Sequence, residues 1–229
     1  MKTRHFAKLL TGFPMAMTLI WLQFLPDRVP LHYDASGNID RWGSKWENLL
    51  LPGVVLLMGL AFFLVSKAGL KKAAGDEKAL AHAESNAKVI RIVMIASGVM
   101  FTVLQAVLLY GAGREAASGA TKSSVDLNRV MVILLGFLFL IMGNFMPKAK
   151  RNSTVGFRCG WSMYNDVTWQ KCNRFAGLSM LCTGVGTILC GVLLSGGWAI
   201  AGMVLMLTAA IVVSLVYAAK VYRLEKGKV

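Results

Sequence analysis

One histidine and two aspartates, close together near the start of the chain, are the first candidates for chemistry. His32, Asp34 and Asp40 all lie in one polar stretch. Imidazole and carboxylate groups bind zinc, but protein zinc sites take three or four such ligands, often with a second histidine. The sequence therefore gives only a weak candidate metal site at His32 and Asp34, and a hydrogen-bonded loop histidine is the alternative. We expect no bound metal and no other cofactor.

The four cysteines form neither a disulfide framework nor a zinc-ligand pattern. Cys182 and Cys190 lie in an apolar run, whereas Cys159 and Cys172 lie in a basic segment that contains no histidine. We therefore expect reduced thiols. The sequence also contains no phosphate-binding glycine loop, no nucleophile elbow and no carboxylate pair at helical spacing. We expect that the protein is not an enzyme.

Six long apolar runs separate the polar stretches. Hydrophobic residues make up 56% of the chain and charged residues only 16%, whereas soluble chains average about 25% charged. A membrane-spanning helix needs about 20 mostly apolar residues. The sequence thus predicts an all-α integral membrane protein with six transmembrane helices, the first a retained anchor rather than a cleaved signal peptide. The runs are Leu9 to Leu25, Leu49 to Ser66, Val89 to Tyr110, Val130 to Met146, Phe175 to Leu194, and Trp198 to Ala219.

The lysines and arginines are divided unequally between the two sides of this arrangement. Nineteen belong to the side with both termini and six to the other side. Cytoplasmic loops carry the excess of lysine and arginine, so we expect both termini in the cytoplasm. The net charge of +14 then reflects membrane topology and contact with the lipid bilayer. We do not expect nucleic-acid binding.

The predicted spans contain few polar groups. No Asp, Glu, Lys or His lies in the middle of a span, and such residues usually mark transport pathways. This argues against a small-solute transporter, our third interpretation. Gln23, Gln105 and Asn144 are expected to form interhelical hydrogen bonds. A row of small residues in the fifth span, Thr183, Thr187 and Gly191 with nearby glycines, predicts close packing, against the sixth span first and in a homodimer second.

Two loops are too long to be simple connections. The outer loop, residues 26–48, begins with Pro26 and Pro30, which favour extended backbone, and Asp34 to Asn38 predicts a tight turn. Tyr33, Trp42 and Trp46 suit the membrane interface. We expect an ordered loop on the outer surface. On the other side, mixed-charge residues 67–88 predict a short helical hairpin.

The cytoplasmic loop of residues 143–177 is strongly basic. Pro147 is expected to end the fourth span, and Asn165 or Asp166 to begin a helix that continues into the fifth. Lys171 and Arg174 on this helix can reach lipid phosphates. The same loop resembles the signature of the SdpI family of bacterial immunity membrane proteins. The matching residues are Gly143, Asn144, Pro147, Lys148, Lys150, Asn152, Gly156, Arg158, Trp161, Trp169, Lys171 and Arg174.

The outer loop carries a second resemblance, to a small domain of unknown function that often precedes the SdpI region. Its pattern is matched by Pro26, Val29, Pro30, His32 and Gly37. The two resemblances imply a two-helix N-terminal unit at residues 1–66, a linker at 67–88 and a four-helix SdpI-like region at 89–229. The chain departs from the signature at Cys159-Gly160 and Cys172-Asn173, where the family has Thr-Pro and Thr-His.

The resemblance to SdpI proteins implies protection of the producing bacterium against a secreted peptide toxin, without enzymatic activity. Contact with a cationic amphipathic peptide is expected at the outer loop, through His32, Asp34, Asp40 and Trp42. The alternative interpretation is a membrane receptor that signals to an acidic cytoplasmic protein through the basic residues of the 147–174 segment.

Overall fold

A computed structural model describes residues 2–34 and 36–228 of the chain, with side chains described from Thr11 onward. The predicted contributions of Lys2, Arg4 and Lys8 to the charge of the N-terminus therefore lie outside the described side chains. Short 3₁₀ turns at Lys45–Leu49 and Met146–Lys148 adjoin the main elements. These elements are α1 (Lys2–Trp21), β1 (Arg28–Tyr33), β2 (Ile39–Ser44), α2 (Leu50–Lys72), α3 (Glu77–Ser118), α4 (Leu127–Phe145), α5 (Asp166–Leu193) and α6 (Gly197–Lys226).

Five helices, α2 to α6, are long and apolar enough to cross a membrane. Large apolar side chains are exposed along them, including Leu57 at 68%, Leu205 at 71% and Leu193 at 75%. Exposure of this kind suits a lipid-facing surface, since a soluble helix buries its apolar stripe. The chain is thus a multi-pass helical membrane protein. The first predicted span, Leu9 to Leu25, overlaps α1; its insertion, and the cytoplasmic location of the termini, stay predictions.

Segment 67–88 consists of the ends of two helices and a short turn. α2 ends at Lys72, and the Asp76 carboxylate begins α3 by accepting a hydrogen bond from the Ala79 N–H at 3.0 Å. α3 has 42 residues, a length of about 63 Å, which is twice the hydrocarbon thickness of about 30 Å. Its first turns therefore extend beyond the bilayer.

The outer loop forms an antiparallel β-hairpin, a feature missing from the all-helical prediction. Residues of β1 pair with β2 in register, with Pro30 opposite Trp42 and His32 opposite Arg41 after a bulge. The expected tight turn lies between the strands, where Gly37 adopts a φ of +80°. Extended backbone after Pro26 and the turn at Asp34 were predicted, but the pairing of the two segments was not.

Glycines on two neighbouring helices, α4 and α5, allow the two backbones to approach closely. A Cβ placed on Gly184 would lie 2.9 Å from the Gly136 carbonyl oxygen, and one on Gly143 would lie 2.7 Å from the Gly177 carbonyl oxygen. Seven-residue spacing keeps such positions on one helix face. We call these positions, with Gly191, the glycine seam between α4 and α5. The sixth span was predicted as the first partner of this row, but the nearest neighbours of Gly177, Gly184 and Gly191 belong to α4 and the turn after it, whereas Gly186 meets Met206 of α6.

Gln105 makes the interhelical hydrogen bonds that were predicted for it. Its side chain is 1% exposed and donates to Thr18 Oγ1 and to the Asn48 carbonyl oxygen, both at 3.0 Å. These bonds join α3 to α1 and to the turn before α2. Gln23 instead donates to Leu19 within its own segment, at 3.4 Å, and Asn144 is exposed. The prediction for Gln23 and Asn144 was therefore wrong.

Gly184→Ala should destabilise the bundle, because the new methyl group would press on the Gly136 carbonyl and on Leu140. We expect a loss of about 1–3 kcal/mol in the free energy of unfolding, the usual cost of overpacking. The measurement is reversible unfolding in mixed micelles. Gly69→Ala is the matched control, since nothing lies within 4 Å of its Cβ position, and it should not destabilise the protein. Equal losses in both variants would contradict the seam.

Candidate functional site

Asp34 organises the tip of the hairpin. Its carboxylate accepts hydrogen bonds from the backbone N–H groups of Ser36 and Asn38 and from the Asn38 amide, each at 2.8 Å. These bonds, led by that from the Asn38 side chain, lower the pKa of Asp34 below its ordinary value. The carboxylate is therefore occupied by its own turn.

His32 and Asp40 form an exposed pair across the two strands. His32 Nδ1 lies 2.6 Å from Asp40 Oδ1, and the two side chains are 65% and 46% exposed. Among the described residues, no three His, Cys, Asp or Glu side chains come together in a group that could hold a metal. His32 pairs with Asp40, whereas Asp34 closes the turn, so the structure does not bring the weak candidate ligands His32 and Asp34 together in one group. Trp42 is half-buried.

A buried carboxylate fastens the hairpin to the bundle. Glu115, near the end of α3, is 1% exposed. It accepts hydrogen bonds from the Tyr33 hydroxyl at 2.7 Å and from the backbone N–H of Ser124 at 2.7 Å, with the Ser124 and Ser123 hydroxyls adding two more. Burial, and then the bond to the Glu115 carboxylate, raise the pKa of Tyr33. Both residues were placed on the outer side by sequence, but nothing in their local spacing predicted this contact.

The loop between α3 and α4 extends the hairpin like a third strand. The Ile39 N–H donates to the Thr121 carbonyl at 2.9 Å, and the Ser123 N–H donates to the Gly37 carbonyl at 2.7 Å. Further along, the Asp126 carboxylate accepts from the Gly196 N–H at 3.1 Å. The hairpin, residues 119–126 and the turn between α5 and α6 therefore form one connected layer, here called the hairpin layer.

Tyr33→Phe should loosen the hairpin layer, because it removes a donor from a buried carboxylate. We expect a loss of about 1–3 kcal/mol in unfolding free energy, the cost of leaving a buried acceptor unsatisfied. Tyr110→Phe is the matched control: that residue is 50% exposed and its hydroxyl accepts only a 3.3 Å hydrogen bond from Arg114. Thermal unfolding of both variants in one detergent checks this, and equal stabilities would contradict the Glu115 anchor.

The SdpI-like signature residues form a folded lobe at the opposite end of the bundle. Asn152 closes a turn by accepting from the N–H groups of Thr154 and Val155. Trp169 is 3% exposed, and its indole N–H donates to the Ala149 carbonyl at 2.8 Å. Gly156 has a φ of +109°, and a Cβ there would lie 2.9 Å from the Trp169 ring. We call residues 146–174 the signature lobe.

Asn173, one of the departures from the family signature, lies at the centre of this lobe. It is fully buried, accepts from the Phe157 N–H at 2.7 Å and donates to the Trp169 carbonyl at 3.1 Å. Cys172 is also buried and packs against Ala218 and Val221. Asn173 therefore has hydrogen-bond partners inside the lobe, and Cys172 packs against α6; the sequence revealed neither contact.

The lobe is held to the rest of the chain by contacts on several sides. The Lys150 N–H donates to the Asn86 amide oxygen of α3 at 2.9 Å, and Lys171 pairs with Glu225 of α6 at 2.8 Å. Predicted helix capping is confirmed, since Asn165 accepts from the Thr168 N–H at the start of α5. Asn86 was missed, because its role depends on a segment more than sixty residues away.

The remaining signature residues differ in their surroundings. Gly143 belongs to the glycine seam and Pro147 ends α4 as predicted. Lys148 lies over the Phe145 ring, and Arg158 donates to the Ser153 carbonyl. Lys171 pairs with Glu225 at 2.8 Å. Asn144, Trp161 and Arg174 are exposed, as are most of the basic residues of the motif. The structure thus places most of the motif in the lobe and leaves a few polar groups at its edge.

Trp169→Phe should destabilise the signature lobe, because the Ala149 carbonyl would lose its donor inside the lobe. We expect a cost of about 1–3 kcal/mol, measured by unfolding that is followed by tryptophan-independent circular dichroism. Trp161→Phe provides the matched control, as Trp161 is 41% exposed and its replacement should change little. A larger loss at Trp161 than at Trp169 would contradict this assignment.

The chain folds as an apolar helical bundle with an ordered polar layer at each end, the architecture of a multi-pass membrane protein. Residues 148–218 of this chain match the SdpI/YfhL protein family, and residues 9–56 match a domain of unknown function, DUF1648. The first match covers most of the signature lobe, α5 and most of α6; the second covers much of α1, the hairpin and the start of α2. The sequence resemblance to both is confirmed.

The chain is also similar to an uncharacterized protein from Archaeoglobus fulgidus. The two are 36% identical over 59 residues, which are 23% of this chain and 32% of the relative. The chain thus spans about a third of that relative's length. No solved structure matches the chain.

Proposed function

We propose that the chain is a non-enzymatic immunity protein of the bacterial inner membrane that protects its cell from a secreted peptide toxin. The SdpI/YfhL match points to an immunity-type membrane protein. Protection against a peptide toxin is supported by one observation: the exposed His32–Asp40 pair lies on a hairpin that Glu115 anchors to the bundle. Because the hairpin is anchored, binding a ligand does not require the ordering of a mobile loop, which would cost conformational entropy.

Orientation in the membrane determines whether a secreted peptide can reach the hairpin. The hairpin layer and the signature lobe lie at opposite ends of α4, which begins beside Asp126 and ends at Pro147. Nineteen of the 25 lysines and arginines belong to the lobe side. The positive-inside rule therefore supports a cytoplasmic lobe, cytoplasmic termini and an external hairpin.

The chemistry of the hairpin surface suits a cationic amphipathic peptide. Asp27 and Asp40 pair with Lys45 and His32, but their side chains are 97% and 46% exposed, so positive side chains of a peptide can reach these carboxylates. Trp46, two residues after β2, is 54% exposed and suits the bilayer interface where such a peptide binds. The carboxylates steer the peptide and the aromatic ring contacts its apolar face.

Protection should depend on the His32–Asp40 pair. In a sensitive bacterial host that expresses the protein, the double variant His32→Ala, Asp40→Ala should lower the protective toxin concentration about tenfold, equivalent to about 1.4 kcal/mol of binding. The challenge uses cationic peptides secreted by the source organism. The fold should survive, because exposed pairs contribute little to stability. Glu84→Ala, an exposed carboxylate at the lobe end, is the matched control and should protect fully.

Two outcomes would contradict the proposal. One is unchanged killing of cells that carry the wild-type protein. The other is failure of a membrane-impermeant maleimide to label Ser36→Cys at the hairpin tip on intact cells, which would place the hairpin inside. Wild-type protein, with its own four cysteines, gives the background of the labelling.

A further inference from the structure

A groove lies at the lobe end of the bundle, between α4, α5 and α6. Its volume is about 640 Å³, and it is open along one side. Polar residues Asn144, Lys171 and Arg174 line one part, and Leu178, Leu181 and Tyr217 line another. We propose that this groove binds one anionic phospholipid, with the phosphate at Arg174 and an acyl chain along the leucines.

The order of residues along α5 matches the order of groups in a phospholipid. Lys171, Arg174, Leu178 and Leu181 are spaced by three, four and three residues, so they share one helix face. They extend about 15 Å along the axis, basic at the start and apolar further on. A phospholipid has the same sequence of parts, an anionic phosphate followed by a hydrocarbon chain.

The walls of the groove are preformed by helix packing. Phe175 and Tyr217 stack with ring centroids 4.1 Å apart and planes inclined by 8°, which closes the side towards α6. On the other side, the contact between Gly143 and Gly177 brings α4 against α5, and Pro147 lies over Gly177. The space between these walls is therefore a fixed feature of the bundle.

Charge complementarity selects an anionic occupant. Lys171 already pairs with Glu225, which also pairs with Lys228 at 3.0 Å. Arg174 is exposed, and among the described residues no carboxylate forms an ion pair with it. A guanidinium binds phosphate oxygens through paired, charge-assisted hydrogen bonds. The cationic rim disfavours a cationic peptide.

The surroundings of the groove favour lipid over a soluble anion or an acidic protein. Leu178, in its apolar part, is 60% exposed, and exposed leucine is stable against hydrocarbon rather than water. Trp161 and Tyr164 at the same end are 41% and 39% exposed, and such rings lie at the level of lipid headgroups. Arg174 is thus placed where phosphates of the bilayer are available.

The test measures lipid retained by the purified full-length protein in native mass spectrometry. Phosphatidylglycerol should remain bound in preference to phosphatidylcholine. Arg174→Gln should weaken phosphatidylglycerol retention about tenfold, and Leu178→Trp, which fills the apolar part and keeps the charge, should also weaken it. The matched control is Arg223→Gln on α6, an exposed arginine outside the groove lining, which should retain lipid like the wild type.

Three results would overturn the proposal. Wild-type protein could show no preference for phosphatidylglycerol. Arg174→Gln and Arg223→Gln could lose lipid equally, which would indicate diffuse attraction to a basic surface. Glycerophosphoglycerol, the headgroup without acyl chains, could displace the bound lipid as well as intact phosphatidylglycerol does, which would assign the site to a soluble phosphate ester. Toxin protection by the hairpin is a separate measurement, so neither result decides the other.

Discussion

A bilayer core offers no water to a polar group, and this constraint underlies the whole structure. Backbone N–H and C=O groups that enter hydrocarbon must be paired within the chain, which favours long helices and places irregular backbone at the two ends. Two of the polar side chains that the bundle buries show the same rule. Gln105 reaches Thr18 and Asn48, and Glu115 collects donors from the hairpin layer. Each of these two side chains thereby connects one element to another.

The two ends of the bundle use this principle in different ways. At the hairpin end, one buried carboxylate and a few strand-like hydrogen bonds join three loops that are distant in sequence. At the lobe end, a single segment folds on itself around Trp169 and Asn173. The hairpin end therefore depends on long-range contacts, whereas the lobe is mostly local. Between them, the glycine seam brings α4 and α5 together, which positions the start of α5 beside the end of α4.

The structure also separates the roles of the basic residues in the signature lobe. Arg151 and Lys171 pair with carboxylates, and Arg158 donates to a backbone carbonyl. Asn173, in place of the family's histidine, satisfies backbone groups inside the lobe. Part of the positive charge of this segment therefore forms contacts within the protein. Arg174, at the edge of an apolar groove, differs from its neighbours because it meets the bilayer.

Sequence by itself determined the membrane class and five of the helices that are long and apolar enough to span. It also determined the helix start at Asn165 and the end of α4 before Pro147. These features depend on local composition and capping, which a single segment carries. The sequence also predicted the family resemblance and the hydrogen-bonded role of Gln105. Tertiary structure decided the pairing of the hairpin strands and the Tyr33–Glu115 contact. It also decided that His32 pairs with Asp40 and not with Asp34, and that α4 packs against the glycine seam of α5. Each of these joins residues through the way chain segments meet in space, and periodicity along one segment carries no information about its neighbour.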